Sequence, residues 1–230
     1  MKKQLFIYGS GRHTVPFLNY MATATGKDCP NLCFIPTASG VDENYIDSFY
    51  EICSQINVNP HVLRVWINSY DQKESFEEII SRMDAIVVGG GNTLNMLAIW
   101  KAQGIDLALS KAYEEGVVMG GGSAGSLCWF NGGTTDSRPK ELSIVEGMSF
   151  VDKSHCPHYN SEPFRRPLYH ENILSGKLTD GYACDDRSGI HFINGEVHTS
   201  VSLDAENHSY FVFTKEGTIQ EDKLKAIILS

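Results

Sequence analysis

Short apolar runs alternate with amphipathic stretches through the first half of the chain. The apolar runs are LFIY (5–8), LCFIPTAS (32–39), HVLRVWI (61–67), DAIVVGGG (84–91) and VVMGGG (117–122). Between them lie segments such as ENYIDSFYEICSQI (43–56), in which apolar residues recur at helical spacing. Strands that alternate with helices of this length predict a mostly parallel sheet, with helices covering both of its faces in a three-layer α/β arrangement.

Small and polar residues follow most of the predicted strands. Gly9–Gly11 follows the first strand and Thr37–Ser39 ends the second, while Gly89–Asn92 and Gly120–Ser123 end the fourth and fifth. Ligands of parallel sheets bind beyond the carboxyl ends of the strands. This edge is therefore the predicted functional edge of the sheet.

The pattern changes in the second half of the chain. Residues 131–170 are rich in Gly, Pro, Asp and His, and residues 182–214 contain short alternating runs broken by Asn-Gly and Glu-Asn. Such runs predict strands and hairpins, here a small β-hairpin region toward the C-terminus. Because no linker-like segment separates the halves, we interpret residues 1–230 as a single α/β domain.

Composition narrows the classes of function. The chain has 230 residues, of which 42% are hydrophobic, enough for a sizeable core. Its net charge of -9 disfavours nucleic acid and anionic membranes as partners. The apolar run after Lys3 is too short for a signal peptide, and none approaches the ~18 residues of a membrane span. The six cysteines form no C-x-x-C pair, which favours reduced thiols in a cytoplasmic protein.

Residues 121–125 read GGSAG and match the pattern G-x-S-x-G, between a strand-like run and an apolar run. In this context Ser123 is a candidate nucleophile on a sharp strand-to-helix turn. Small neighbours avoid steric collisions there, and the N-terminus of the following helix favours negative charge. The backbone N–H of Ala124 would be one oxyanion donor. Alternatively, Ser123 is only a helix cap at a glycine-rich strand end.

A serine nucleophile needs a base and an acid. Among the eight histidines, His158 follows a proline in CPHYN (156–160), a rigid and non-helical setting, and His155 lies close to it. Asp185 and Asp186 follow the strand-like YAC (182–184) and could reach the edge of the site, but a turn is the simpler explanation. The acid candidates between serine and histidine, among which spacing does not choose, are Asp136, Glu141, Glu146 and Asp152.

Four motifs together resemble the peptidase E family of serine peptidases, the aspartyl dipeptidases and their relatives. They are GGGNT (89–93), GGSAG (121–125), TTD (134–136) and PHY (157–159), and the similarity extends over roughly residues 5–195. The resemblance implies a fold related to class I glutamine amidotransferases. The order serine, acid, histidine within residues 123–158 also matches the family, whereas an α/β-hydrolase usually places its acid and histidine much further downstream.

The resemblance implies catalytic roles for the matching residues. Ser123 would be the nucleophile, His158 the general base, and Asp136 the acid that orients the imidazole. The family context T-T-N-D reads TTD here, and relatives differ in which carboxylate orients the histidine. Glu141 and Glu146 therefore stay as alternatives to Asp136.

The resemblance also implies positions for binding groups. Gly90 or Gly91 would supply the second oxyanion N–H. Peptidase E relatives prefer an N-terminal aspartate in dipeptides, which calls for a cation near the substrate carboxylate. Arg165 and Arg166 are the nearest candidates for this cation; alternatively, they are a solvated pair on the surface. The candidate substrate-binding residues are Asn92, Arg165 and Arg166, with Arg138 as a further option.

These expectations describe a serine peptidase that hydrolyses short peptides, such as Asp-X dipeptides, through an acyl-enzyme. We expect no metal or other cofactor, and a monomer or homodimer in the cytoplasm. Within the same family, the alternatives are a β-aspartyl hydrolase of the cyanophycin-degrading type and a binding protein that has lost turnover.

Two other classes of function are alternatives. Gly9-Ser10-Gly11 resembles the start of the nucleotide-binding pattern G-x-G-x-x-G, but Thr14 occupies the third glycine position and no G-K-[ST] accompanies GGGNT. His155 and His158 form an H-x-x-H pair, but Pro157 between them argues against a helix that presents both to a metal.

Overall fold

The computed structural model of the protein describes residues 2–65 and 72–229. The last two residues of the predicted strand HVLRVWI, Trp66 and Ile67, lie outside the described residues. No helix in the described part of the chain is long and apolar enough to cross a lipid bilayer. The helices are α1 (Val15–Ala24), α2 (Glu43–Cys53), α3 (Phe76–Ile80), α4 (Thr93–Gln103), α5 (Ile105–Glu114), α6 (Ala124–Leu127) and α7 (Arg165–Leu174), with a 3₁₀ turn at Thr37–Ser39.

The strands divide into two sheets. The first contains, in spatial order, β14 (Ala226–Ile228), β11 (Glu196–Ser202), β10 (Ser188–Ile193), β1 (Gln4–Tyr8), β5 (Val118–Gly122), β4 (Ala85–Val88), β2 (Asn31–Ile35) and β3 (Asn59–Val62). The second contains, in spatial order, β13 (Thr218–Lys223), β12 (Ser209–Lys215), β9 (Gly181–Cys184), β8 (Val151–Cys156), β6 (Phe130–Thr135) and β7 (Ser143–Glu146).

Strands β1, β5, β4, β2 and β3 of the first sheet run parallel to one another. Alternate residues of each strand enter opposite layers of the core, as the pleat requires. Leu5 and Ile7 of β1 pack in one layer with Trp100 of α4, whereas Phe6 packs in the other with Phe17 of α1. The predicted α/β class, with helices on both faces of the sheet, is confirmed.

The β-rich second half is larger than the predicted hairpin region. Most of its strands form the second sheet, against which Tyr169 and Ile173 of α7 pack, whereas β10, β11 and β14 join the first sheet. The chain then leaves this sheet at the end of β9, and β10 pairs antiparallel with β1 so that Gly189 lies opposite Tyr8. The short link between β9 and β10 is therefore held beside the carboxyl end of β1, at the predicted functional edge.

Candidate active site

Ser123 lies on the turn between β5 and α6, with a φ of 54° and a ψ of -117°. Residues other than glycine rarely adopt a positive φ, so this backbone is strained. The turn is tight because Gly125 lies against β4: a Cβ added there would come within 2.9 Å of Val88 Cβ, and closer still to the Val88 carbonyl. The sequence GGSAG is thus the strained turn that its small residues predict.

His158 faces the serine hydroxyl. Its Nε2 lies 2.8 Å from Ser123 Oγ, and its Nδ1 lies 2.7 Å from Asp186 Oδ1. An ionised carboxylate only accepts hydrogen bonds, so Nδ1 carries the proton and the lone pair of Nε2 points to the hydroxyl. This tautomer is the one that a general base needs.

Asp186 is ionised in this arrangement. The hydrogen bond from His158 lowers the pKa of Asp186 below its usual value; burial opposes this effect, and the Ser161 hydroxyl adds to it. The backbone of Asp186 is also fixed, because its carbonyl accepts from Ser10 N–H at 3.2 Å and its N–H donates to Asn160 Oδ1 at 3.2 Å. The turn that the sequence predicts at Asp185-Asp186 is thereby part of the site.

The carboxylate beside His158 is Asp186 and not Asp136. Asp136 follows the end of β6, is 65% exposed and lies 3.3 Å from the Arg165 guanidinium. Glu141 lines a separate cavity next to Asp136, and Glu146 is an exposed residue of β7. The sequence suggested an acid between Ser123 and His158. In the structure the carboxylate next to the imidazole is Asp186, which follows His158 in sequence and lies between β9 and β10.

The glycine turns after β1 and β4 lie directly over the nucleophile. A Cβ added at Gly90 would approach Ser123 Cβ to 3.3 Å and Gly11 Cα to 2.8 Å. Gly90 N–H already donates to Tyr45 Oη at 3.2 Å. Of the two predicted donors, the Gly90 N–H is therefore already engaged in the free protein. Ala124, the other predicted donor, is the first residue of α6.

Asn92 has a structural role in the free protein. Its Oδ1 caps α4 by accepting from Asn95 N–H at 2.9 Å, and its Nδ2 donates to Ser137 O at 3.0 Å. These two bonds fix the amide while leaving its second N–H and second lone pair for the predicted contact with substrate.

The predicted substrate cations are paired with groups of the chain itself. Arg165 is 2% exposed and donates to Glu162 at 2.6 Å and to Thr134 O at 2.8 Å. Arg166 donates to Glu221 at 2.9 Å. Arg138, the further option, donates to Ser143 Oγ at 2.8 Å and to Ile144 O at 3.0 Å. Arg165 is thus a buried structural cation rather than half of a solvated surface pair.

A cavity of about 380 Å³ opens over Ser123. Arg12 is the one guanidinium among the described residues that line this cavity, and it is exposed. Arg12 and Tyr45 are not among the site residues predicted from the sequence, although Arg12 directly follows Gly9–Gly11 at the predicted functional edge. The lining residues are Ser10, Gly11, Arg12, Tyr45, Gly90, Gly91, Ser123 and His158.

The geometry disfavours the two other classes of function. His155 is fully buried, with Nε2 2.9 Å from Ser126 Oγ and Nδ1 3.0 Å from Tyr182 O, and so does not converge with His158. Burial lowers the pKa of His155 to about 3. In the first glycine turn, the Gly9 N–H donates to Ser188 O at 3.1 Å and the Ser10 N–H to Asp186 O. These N–H groups are not directed at a phosphate.

Comparisons with known proteins agree with the resemblance. A model of peptidase family S51 matches residues 5–200. The peptidase YgaJ of Bacillus subtilis is 38% identical over 224 residues, covering 95% of this chain and 96% of that protein. Peptidase E of Haemophilus influenzae is 26% identical over 199 residues, covering 80% and 85%. A peptidase structure from an acI-B1 Actinobacterium superposes with a TM-score of 0.75 at 16% identity, covering 98% and 95%, which shows the shared fold.

Proposed function

The chain belongs to peptidase family S51 and is a peptidase of the peptidase E type, and from this premise we propose that it cleaves short peptides through an acyl-enzyme on Ser123. The contact of Ser123 Oγ with His158 Nε2, and of His158 Nδ1 with Asp186, carries the proposal. Ser123 attacks the scissile carbonyl while His158 takes its proton and later returns it to the leaving amine. Asp186 holds the imidazole and stabilises the imidazolium that forms.

The oxyanion forms beneath the second glycine turn. Backbone N–H groups of Ala124 and Gly91 donate to the tetrahedral oxygen, and each such donor contributes roughly 3–4 kcal/mol to the transition state. Water then attacks the acyl-enzyme, with His158 again acting as the base.

The substrate is a short peptide that presents a carboxylate to Arg12. The volume of about 380 Å³ over Ser123 suits a ligand of dipeptide size. The three arginines suggested by the sequence already have acceptors in the chain, whereas Arg12 lines the same cavity as the nucleophile. An arginine suits this role because its guanidinium pairs bidentately with a carboxylate.

The test is a panel of Asp-X, X-Asp and β-Asp dipeptides, assayed beside labelling by a fluorophosphonate probe. We expect wild type to label and to cleave at least the Asp-X members, and Ser123→Ala to do neither. Cleavage confined to the β-Asp members would instead assign a β-aspartyl hydrolase. A protein that labels but cleaves nothing in the panel contradicts the dipeptidase assignment, and one that does neither contradicts the acyl-enzyme.

A further inference from the structure

The hydroxyl of Tyr45 links the glycine turns after β1 and β4, which lie over Ser123. Tyr45 lies on α2, and its Oη donates to Gly11 O, after β1, while accepting from Gly90 N–H, after β4, at 3.2 Å. Strands β1 and β4 are the two neighbours of β5, which carries Ser123. One side chain from outside the sheet therefore bridges the turns on either side of the serine.

Packing fixes the tyrosine ring in place. The ring stacks on His13 with centroids 5.1 Å apart and meets Phe34 edge-on at 4.9 Å. A Cβ added at Gly89 would come within 2.8 Å of Tyr45 Cε1, so the turn after β4 rests directly on the ring. Burial raises the pKa of Tyr45 to about 12, which leaves the hydroxyl protonated and able to donate at neutral pH.

The two hydrogen bonds have different consequences for the site. The bond to Gly11 O sets how far apart the turns lie above Ser123, where Gly11 and Gly90 are already in contact. The bond from Gly90 N–H fixes the Gly89–Gly90 peptide, which adjoins the peptide that carries the Gly91 N–H. Gly91 itself has a φ of 134°, which a residue with a side chain would seldom adopt. The orientation of the Gly91 N–H thus depends on the adjacent Gly89–Gly90 peptide, which the Tyr45 hydroxyl holds in place.

We propose that Tyr45 is a positioning residue for the oxyanion hole, whose hydroxyl holds the Gly90-Gly91 turn so that the Gly91 N–H faces the tetrahedral oxygen. This inference rests on the proposed acyl-enzyme at Ser123. Tyr45 acts through the turn and takes no part in proton transfer. Its effect therefore belongs to the transition state, in which the oxyanion exists, and only weakly to substrate binding.

The test compares Tyr45→Phe with Tyr20→Phe. Both variants keep an aromatic ring and remove one hydroxyl; that of Tyr20, on α1, contacts His191 Nδ1 at 3.1 Å. We expect Tyr45→Phe to lower kcat by about tenfold or more with little change in KM, as for loss of a transition-state contact. The rate of fluorophosphonate labelling should fall in parallel, because the phosphonyl oxygen occupies the oxyanion position. Tyr20→Phe should match wild type in all three measurements.

Amide hydrogen exchange of residues 86–96 supplies a readout that needs no activity. We expect faster exchange there in Tyr45→Phe, and wild-type exchange in Tyr20→Phe. Wild-type kcat and labelling in Tyr45→Phe would overturn the inference while leaving the peptidase proposal intact. If wild type itself neither labels nor cleaves, the peptidase proposal fails. Unchanged exchange in Tyr45→Phe then overturns this inference separately.

Discussion

Both side chains of the proposed proton transfer project from strained backbone. Ser123 and His158 each have a φ of 54°, which costs free energy in a residue with a Cβ. The surroundings hold each conformation: Gly125 packs on β4 behind the serine, while the His158 carbonyl accepts from Ser161 N–H at 3.3 Å. Such strain persists where the fold over-determines it, and here it brings Oγ and Nε2 to hydrogen-bonding distance.

The identity of the acid is the sharpest prediction at the scale of single residues. Replacement of Asp186 by asparagine should lower kcat on the order of 10⁴-fold, because the amide favours the wrong imidazole tautomer and cannot stabilise the imidazolium. Asp136→Asn is the matched control, since Asp136 contacts Arg165 instead, and it should keep kcat close to wild type. Steady-state kinetics of both variants decide the point. A large loss in Asp136→Asn with little loss in Asp186→Asn would return Asp136 to the role of the acid.

Arg12 gives a second prediction at this scale. Arg12→Gln should lower kcat/KM for Asp-X dipeptides by about 10- to 100-fold, the range expected for losing a charged hydrogen bond of ~1.5–3 kcal/mol. The loss should lie mainly in KM. Asn-X dipeptides serve as the control, because they lack the side-chain carboxylate. Equal losses on both series would mean that Arg12 binds the C-terminal carboxylate, and wild-type kinetics on both would remove it from the substrate site.

At the scale of elements, the sequence predicts those strands and turns that the local pattern of apolar and polar residues determines. The strands that end at Tyr8, Val88 and Gly122, and the turns after them, lie where the alternation of apolar runs places them. The carboxylate beside His158 is not predicted from the sequence because its position depends on long-range pairing. Asp186 reaches His158 only because β10 returns to pair with β1, and nothing in the spacing of Asp185-Asp186 encodes that pairing. Similarly, Asp136 and Glu221, which pair with Arg165 and Arg166, become neighbours of these arginines only after folding.

The contact between α7 and β13 yields a prediction about elements. Glu221 of β13 pairs with Arg166 of α7 and accepts from the hydroxyl of Tyr159, the residue after His158. Glu221→Gln removes the charge that holds these groups together and should lower kcat several-fold by loosening the histidine loop. The matched control is Glu74→Gln, which breaks the exposed pair with Arg82 and should leave kcat unchanged. Equal kcat in the two variants would show that β13 does not support the histidine.

At the scale of the whole molecule, the site lies where the two sheets join. Ser123 follows β5 of the first sheet, His158 follows β8 of the second, and Asp186 lies on the link between them. A change that shifts one sheet against the other would separate the proposed nucleophile from its base. Global stability and activity should therefore be lost together as the protein unfolds.

Three buried histidines predict how stability depends on pH. Burial lowers the pKa of His13 and His155 to about 3, and that of His191 to about 4, where the nearby His198 and Lys2 contribute as well. In the unfolded chain these groups take up protons near pH 6.5, so below that pH the unfolded state binds more protons than the folded state. The free energy of unfolding must therefore fall as pH decreases from about 6.5 toward 4.

The slope can be estimated and assigned to residues. Each histidine that is protonated in the unfolded state and neutral in the folded state changes the free energy of unfolding by about 1.4 kcal/mol per pH unit. The three together therefore contribute at most about 4 kcal/mol per pH unit. Asp185, whose pKa burial raises, opposes the effect, whereas Asp186 is ionised in both states above about pH 5. Urea unfolding at pH 7, 6 and 5 measures the slope. His191→Gln should reduce the histidine contribution by about a third. A free energy of unfolding that stays constant from pH 7 to pH 5 would mean that these imidazoles become protonated inside the fold.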